Sequence, residues 1–147
     1  MQKNVVIAGF ARSPFHFANK GELATVRPDE MAAQVVRRLL EKTGVDPAEI
    51  EDLILGCAFP EGEQGLNVAR IIGFLAGLPL SVAGQTVNRY CGSSMQAVHS
   101  AAGAIQYTGD GCVGPRHHEN HEVTFMMISL PFSRGVAEHT KRRRGKA

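Results

Sequence analysis

In VNRYCGSSMQAVHSAAGAI (87–105) a single cysteine, Cys91, stands where an apolar, strand-like stretch gives way to an alanine-rich helix. A thiol at such a junction could do covalent chemistry. The first turn of a helix leaves backbone N–H groups unpaired and carries about half a positive charge. That charge favours a thiolate, and the N–H groups could hold a developing oxyanion. Gly92 would let a substrate or another backbone come close, and Ser93 and Ser94 suit an exposed first turn. The plain alternative is a small buried residue at a tight turn, because free cysteine is among the most buried residue types.

A nucleophile needs a proton acceptor. His99 lies two helical turns past Cys91, roughly 12 Å along the axis, and cannot reach the sulfur. It reads as a surface or interface position on the helix. His16, in a loop near the N-terminus, is a conceivable base with nothing in the pattern to support it. His117, His118 and His121 have a spacing that could ligate a metal on a helix, but the neighbouring Gly and Pro argue against that helix. No metal site is expected. Cys57, inside an apolar run, reads as structural, and Cys112, in an irregular segment, as incidental.

These groups belong to a chain of 147 residues, 44% hydrophobic and 20% charged, long enough for one domain with a substantial core. There is no apolar run long enough to cross a membrane, and the N-terminus lacks the pattern of a signal peptide. Three cysteines form no disulfide framework, which makes a reducing cytoplasm the default location. The net charge of +2 is unevenly spread, for most of the basic character lies in KRRRGK at 141–146. With no aromatic platform, helix-turn-helix or zinc-finger spacing beside it, that run reads as a solvated end rather than a nucleic-acid site.

The elements that would position the thiol alternate in type. NVVIAGF (4–10) reads as a buried strand followed by a polar, Pro-containing loop. RPDEMAAQVVRRLLEKTG reads as a helix opened by Pro28, striped by Met31, Val35, Leu39 and Leu40, and ended by Gly44. A second apolar strand spans 52–59, a helix follows in LNVARIIGFLAGL, a third strand covers 84–90, and a third helix 92–106. The predicted order is βαβαβα, a mostly parallel sheet with helices on both faces, because continuously apolar strands are buried on both sides. In such sheets reactive groups collect at the carboxyl ends of strands, and Cys91 falls there. Residues 1–110 form the predicted domain; residues 111–147 read as an irregular basic tail with one more possible strand in VTFMMISL (123–130).

Three stretches carry a resemblance to the thiolases. NVVIAGFARSPFHF resembles the opening strand and loop of the family's N-terminal domain. GCAFPEGEQGLNVAR resembles its second strand and following loop, and VNRYCGSSMQAV the segment around the nucleophilic cysteine. The match covers residues 3–107 and is nearer the degradative 3-ketoacyl-CoA thiolases of fatty acid metabolism than the biosynthetic branch. It implies an incomplete thiolase-like N-terminal domain and an acetyl-CoA acyltransferase chemistry. A cysteine attacks a 3-ketoacyl-CoA, acetyl-CoA leaves, and coenzyme A collects the acyl group from sulfur.

Carried over to this sequence, the resemblance makes Cys91 the nucleophile that bears the acyl thioester, with its own backbone N–H in an oxyanion hole. Gln64 and Asn67 would lie in the loop that supports the cysteine region. Acyl-CoA and CoA are the implied small-molecule partners, with CoA a co-substrate rather than a cofactor, and a homodimer or higher homo-oligomer the implied assembly. Thiolases are longer, and draw an activating histidine, a second cysteine and an asparagine from a second domain that has no counterpart in these residues. The chain alone is therefore expected to be a weak or inactive acyltransferase. A non-catalytic interaction fragment and a relative of the β-ketoacyl synthases are the alternatives. VTFMMISLPFSRG faintly echoes a Met-Met stretch of the family, which makes 111–147 readable as a corrupted continuation.

Overall fold

A computed structural model describes residues 4–17, 21–107 and, for the backbone, 124–129. Helix α1 (Pro28–Thr43) starts where Pro28 meets an extended Arg27, the conformation a residue before proline prefers. It stops at Gly44, whose φ of 70° a glycine adopts without strain while its N–H bonds Leu40 O at 2.8 Å. Strand β1 (Ile50–Gly56), helix α2 (Val68–Ala76), strand β2 (Ala83–Val87), helix α3 (Ser93–Tyr107) and strand β3 (Thr124–Ser129) follow. Both strand pairs are parallel, and the order is β2-β1-β3.

The chain therefore moves from β1 to β2 on one side, then crosses back over β1 to β3. If both crossovers are right-handed, this reversal puts α2 and α3 on opposite faces of the sheet, and the core divides accordingly. On one face Leu53 and Leu55 of β1 pack with Ala32, Ala33 and Val36 of α1 and with Val68, Ala69 and Ile72 of α2. On the other, Ile54 meets Ala97 and Ala101 of α3, with Val87 beside them. Burying a Val, Leu or Ile side chain contributes about 1.5 to 3 kcal/mol, so the first face, with its many large side chains, holds most of the stability. The α3 face is thin and depends on close approach.

The fold is the expected α/β class, a parallel sheet with helices on both faces, but its strands are not all those predicted. Residues 4–17 form neither helix nor strand, and Val6, Ile7 and Phe10 are exposed, Ile7 by 87%. The buried strand predicted at 4–10 is thus absent. β1 is paired on both sides, by β2 and by β3, so NVVIAGF does not join the sheet beside it. The segment instead lies over the end of α1. There the Lys42 ammonium donates to Phe10 O at 3.1 Å and sits 4.4 Å from the Phe10 ring centre. The strand read as possible at 123–130 is present as β3, so the sheet draws its third strand from beyond residue 110.

Smaller differences have local causes. The strand predicted at 52–59 runs instead from Ile50 to Gly56, and that predicted at 84–90 ends at Val87, where the chain turns towards Cys91. In α1 the buried stripe is Met31, Ala32, Ala33 and Val36, while Val35, Leu39 and Leu40 are only partly covered. The alanines win the inner face because α2 packs close against it.

Candidate functional site

All three parallel strands end on the same edge of the sheet, and that edge carries the thiol. Beyond Gly56, the Cys57 N–H continues the ladder by donating to Val87 O at 2.9 Å. After Val87 the chain makes two tight turns. The Asn88 side-chain oxygen accepts from Tyr90 N at 2.9 Å, and Tyr90 takes a φ of 46°, rare for a residue with a bulky side chain. A short 3-10 turn, Tyr90–Gly92, then leads into α3. Cys91 lies in that turn, exposed, immediately before the helix. The buried reading of this cysteine is excluded.

The neighbours of Cys91 differ from the simple expectation of an exposed first turn. Ser93 is 3% exposed. Its hydroxyl accepts from Arg89 N at 2.9 Å and donates to Tyr90 O at 2.6 Å. Gly92 has room for a side chain, since a Cβ there would meet only Arg89 carbons at 3.8 and 3.9 Å. The close approach expected at Gly92 occurs at Gly56, where a Cβ would fall 2.5 Å from Ser94 N and 2.6 Å from Ser93 C. Arg89 is laid along α3, its guanidinium donating to the Gln96 side-chain oxygen at 2.6 Å.

Gln64 and Asn67 both lie in the loop between β1 and α2, and neither touches Cys91. Gln64 is 2% exposed and accepts from the Cys57 thiol, Sγ to Oε1 3.6 Å. Burial pushes the Cys57 thiol above its ordinary range, against a smaller opposing effect of the Phe59 backbone, so this sulfur is structural, as predicted. Asn67 fastens β2. Its side-chain N–H donates to Gly84 O at 2.7 Å and its oxygen accepts from Thr86 Oγ1 at 2.9 Å. Thr86 Oγ1 in turn accepts from Ala69 N at 3.1 Å, capping the start of α2 from the neighbouring strand. The loop thus supports the strand that leads to Cys91.

Among the described residues no side chain hydrogen-bonds to Cys91, and both His16 and His99 are exposed. Among them, too, no group of three His, Cys, Asp or Glu could hold a metal ion, and no helix is long and apolar enough to cross a membrane. His117, His118, His121, Cys112 and the basic run at 141–146 lie outside the described residues. Sequence reasoning missed Gly56, Thr86 and the buried role of Ser93. The signal for Gly56 was a glycine ending an apolar strand, which marks a site of close backbone approach.

The described residues form a parallel α/β sheet with an exposed cysteine at a strand end, entering a helix of small residues. The family model "Thiolase, N-terminal domain" matches residues 5–113, and the chain belongs to that family. It is 48% identical over 140 residues to a 3-ketoacyl-CoA thiolase of Psychrobacter arcticus, covering 93% of this chain and 35% of the relative. A 3-ketoacyl-CoA thiolase of Bacillus subtilis is 52% identical over 105 residues, which cover 71% of this chain and 27% of that protein. One from Acinetobacter baumannii is 47% identical over 140 residues. The chain spans about a third of the length of these relatives.

Proposed function

We propose that this chain carries the nucleophile of a thiolase-type acyl transfer, with Cys91 as the attacking group and a 3-ketoacyl-CoA as substrate. The observation that supports it best is the place of Cys91: exposed, at the carboxyl edge of the sheet, on a turn braced from below, inside the stretch that matches the family. The substrate class is that of the 3-ketoacyl-CoA thiolases the chain is similar to.

In this reading the Cys91 thiolate adds to the C3 keto carbon of the substrate, and the backbone N–H of Cys91 takes part in holding the oxyanion. The carbonyl reforms as the C2–C3 bond breaks. The electron pair leaves on C2, which gains a proton to give acetyl-CoA, and the acyl chain stays on sulfur as a thioester. The thiol of a second CoA then attacks that thioester, releasing the shortened acyl-CoA and returning the thiol of Cys91. Gln64 and Asn67 act from outside the reacting atoms, by fixing the loop and strand beneath them. CoA is a co-substrate, the setting is the cytoplasm, and a homodimer or higher homo-oligomer is the assembly.

A second reading, a non-catalytic fragment, is favoured by the lack of any proton acceptor in contact with Cys91 among the described residues. Incubating the chain and a Cys91→Ser variant with a 3-ketoacyl-CoA separates the two. Intact-mass and peptide analysis should find an acyl adduct on Cys91 only, formed slowly and with little turnover. A folded chain that never acquires the adduct, under conditions where iodoacetamide labels Cys91, would leave the non-catalytic reading.

A further inference from the structure

We propose that Ser93 is a positioning residue for Cys91: its buried hydroxyl latches the turn that presents the thiol, and the bare backbone of Gly56 is the floor on which the latch rests. The inference rests on the assignment of Cys91 as the nucleophile. Three independent features meet at this turn. Tyr90, directly before the thiol, holds a φ of 46°, a conformation that costs a non-glycine residue free energy and persists only where the surroundings enforce it. Ser93, directly after Gly92, reaches back and satisfies both the Arg89 N–H and the Tyr90 carbonyl with one oxygen. Gly56, from β1, contacts the backbone of Ser93 and Ser94 so closely that no side chain fits.

Each feature explains another. The Ser93 hydroxyl is the side-chain group that bridges the two sides of the turn, so it opposes relaxation of Tyr90 to negative φ. Its place is fixed because the backbone at the start of α3 lies against Gly56, and Ser93 itself is buried. Deleting the hydroxyl leaves the Arg89 N–H and the Tyr90 carbonyl without that shared partner. The turn then relaxes, and Cys91 shifts from its place at the start of α3. Ser94, which makes no such bridge, does not share the role.

The test is the rate at which iodoacetamide labels Cys91 in the full chain, followed by peptide mass analysis from about pH 6 to about pH 9. Ser93→Ala, Ser93→Thr and Ser94→Ala are compared with the unaltered chain, with circular dichroism to establish that each is folded. Ser93→Ala should label about tenfold more slowly near neutral pH. Ser93→Thr, which keeps the hydroxyl, should recover most of the rate, and Ser94→Ala should match the unaltered chain. If Ser93→Ala does not fold, Tyr90→Gly/Ser93→Ala is used, since glycine adopts positive φ without a latch. Recovery of fast labelling in that double variant supports the latch, and slow labelling in the folded double variant overturns it. An unchanged rate in folded Ser93→Ala overturns it equally. If instead Cys91 is not the fastest-labelled cysteine of the unaltered chain, the nucleophile assignment itself fails.

Discussion

Gly56 lies against the backbone of Ser94, so close that a methyl group on Gly56 would stand 2.5 Å from the Ser94 nitrogen. Through this contact the central strand supports the turn that carries Cys91. The atoms facing Gly56 are backbone, not the tip of a flexible side chain, and cannot give way cheaply. Gly56→Ala should therefore destabilise the chain by about 1 to 3 kcal/mol, the usual cost of overpacking. Thermal unfolding followed by circular dichroism checks this. A melting temperature equal to that of the unaltered chain would show that α3 does not rest on the strand.

The two described cysteines should differ sharply in reactivity. Cys91 is exposed, whereas Cys57 is fully buried, donates to Gln64, and has its thiol pushed up by burial. Limited iodoacetamide at neutral pH should label Cys91 first and reach Cys57 only under denaturant. Labelling of Cys57 at the Cys91 rate in the folded chain would contradict the packing around Gln64.

Much of this was legible in the sequence, for physical reasons that differ from place to place. Helix α1 could be read because Pro28 and Gly44 punctuate it with backbone chemistry that is local. The strand-end cysteine could be read because a strand-like run, a turn and an alanine-rich helix succeed one another within about twenty residues. NVVIAGF misled because strand composition states only a preference; whether a strand forms is decided by the tertiary pairing, and both sides of β1 are taken by β2 and β3. The latch of Ser93 and the floor of Gly56 are long-range facts. Nothing in the local sequence tells a buried serine in the first turn from an exposed one.

The Asn67–Thr86 circuit should behave as a coupled pair. Asn67 bonds both Gly84 and Thr86, and Thr86 caps Ala69. Because Asn67 is exposed, Asn67→Ala should cost only about 1 kcal/mol, the net worth of an ordinary hydrogen bond. Thr86→Val should cost somewhat more, since it also leaves the Ala69 N–H without its cap. The double variant should cost less than the two singles added together, because both lose the same Asn67–Thr86 bond. Urea melts of the four proteins measure this, and strict additivity would mean that the circuit does not act as a unit.

Asp29 and Asp52 should pull the acid stability of the chain in opposite directions. Burial of Asp29 on its own would raise its carboxyl, but the Arg27 side chain, bonded at 2.7 and 3.1 Å, and the Glu30 N–H hold it below the ordinary 3.8. Its stabilisation is present above the unfolded value and is lost as pH falls through the folded one, that is, below about 3.8. Asp52 sits where the register between β1 and β3 shifts, and its Oδ1 is buried with no hydrogen-bond partner among the described residues. Desolvation raises its carboxyl above 3.8, only partly offset by the Leu53 N–H. The folded state therefore binds that proton more tightly, so stability should rise as pH falls through the raised value and level off below 3.8. Together the two groups place a maximum near pH 3.8. Asp52→Asn, which removes the buried charge, should stabilise the chain by about 1 kcal/mol at neutral pH and flatten the rise. Asp29→Asn should cost about 1 to 3 kcal/mol at neutral pH and flatten the fall at low pH. Urea unfolding of the three proteins from about pH 3 to about pH 7 reads both slopes. Loss of stability in Asp52→Asn at neutral pH would show that its carboxylate is paired after all.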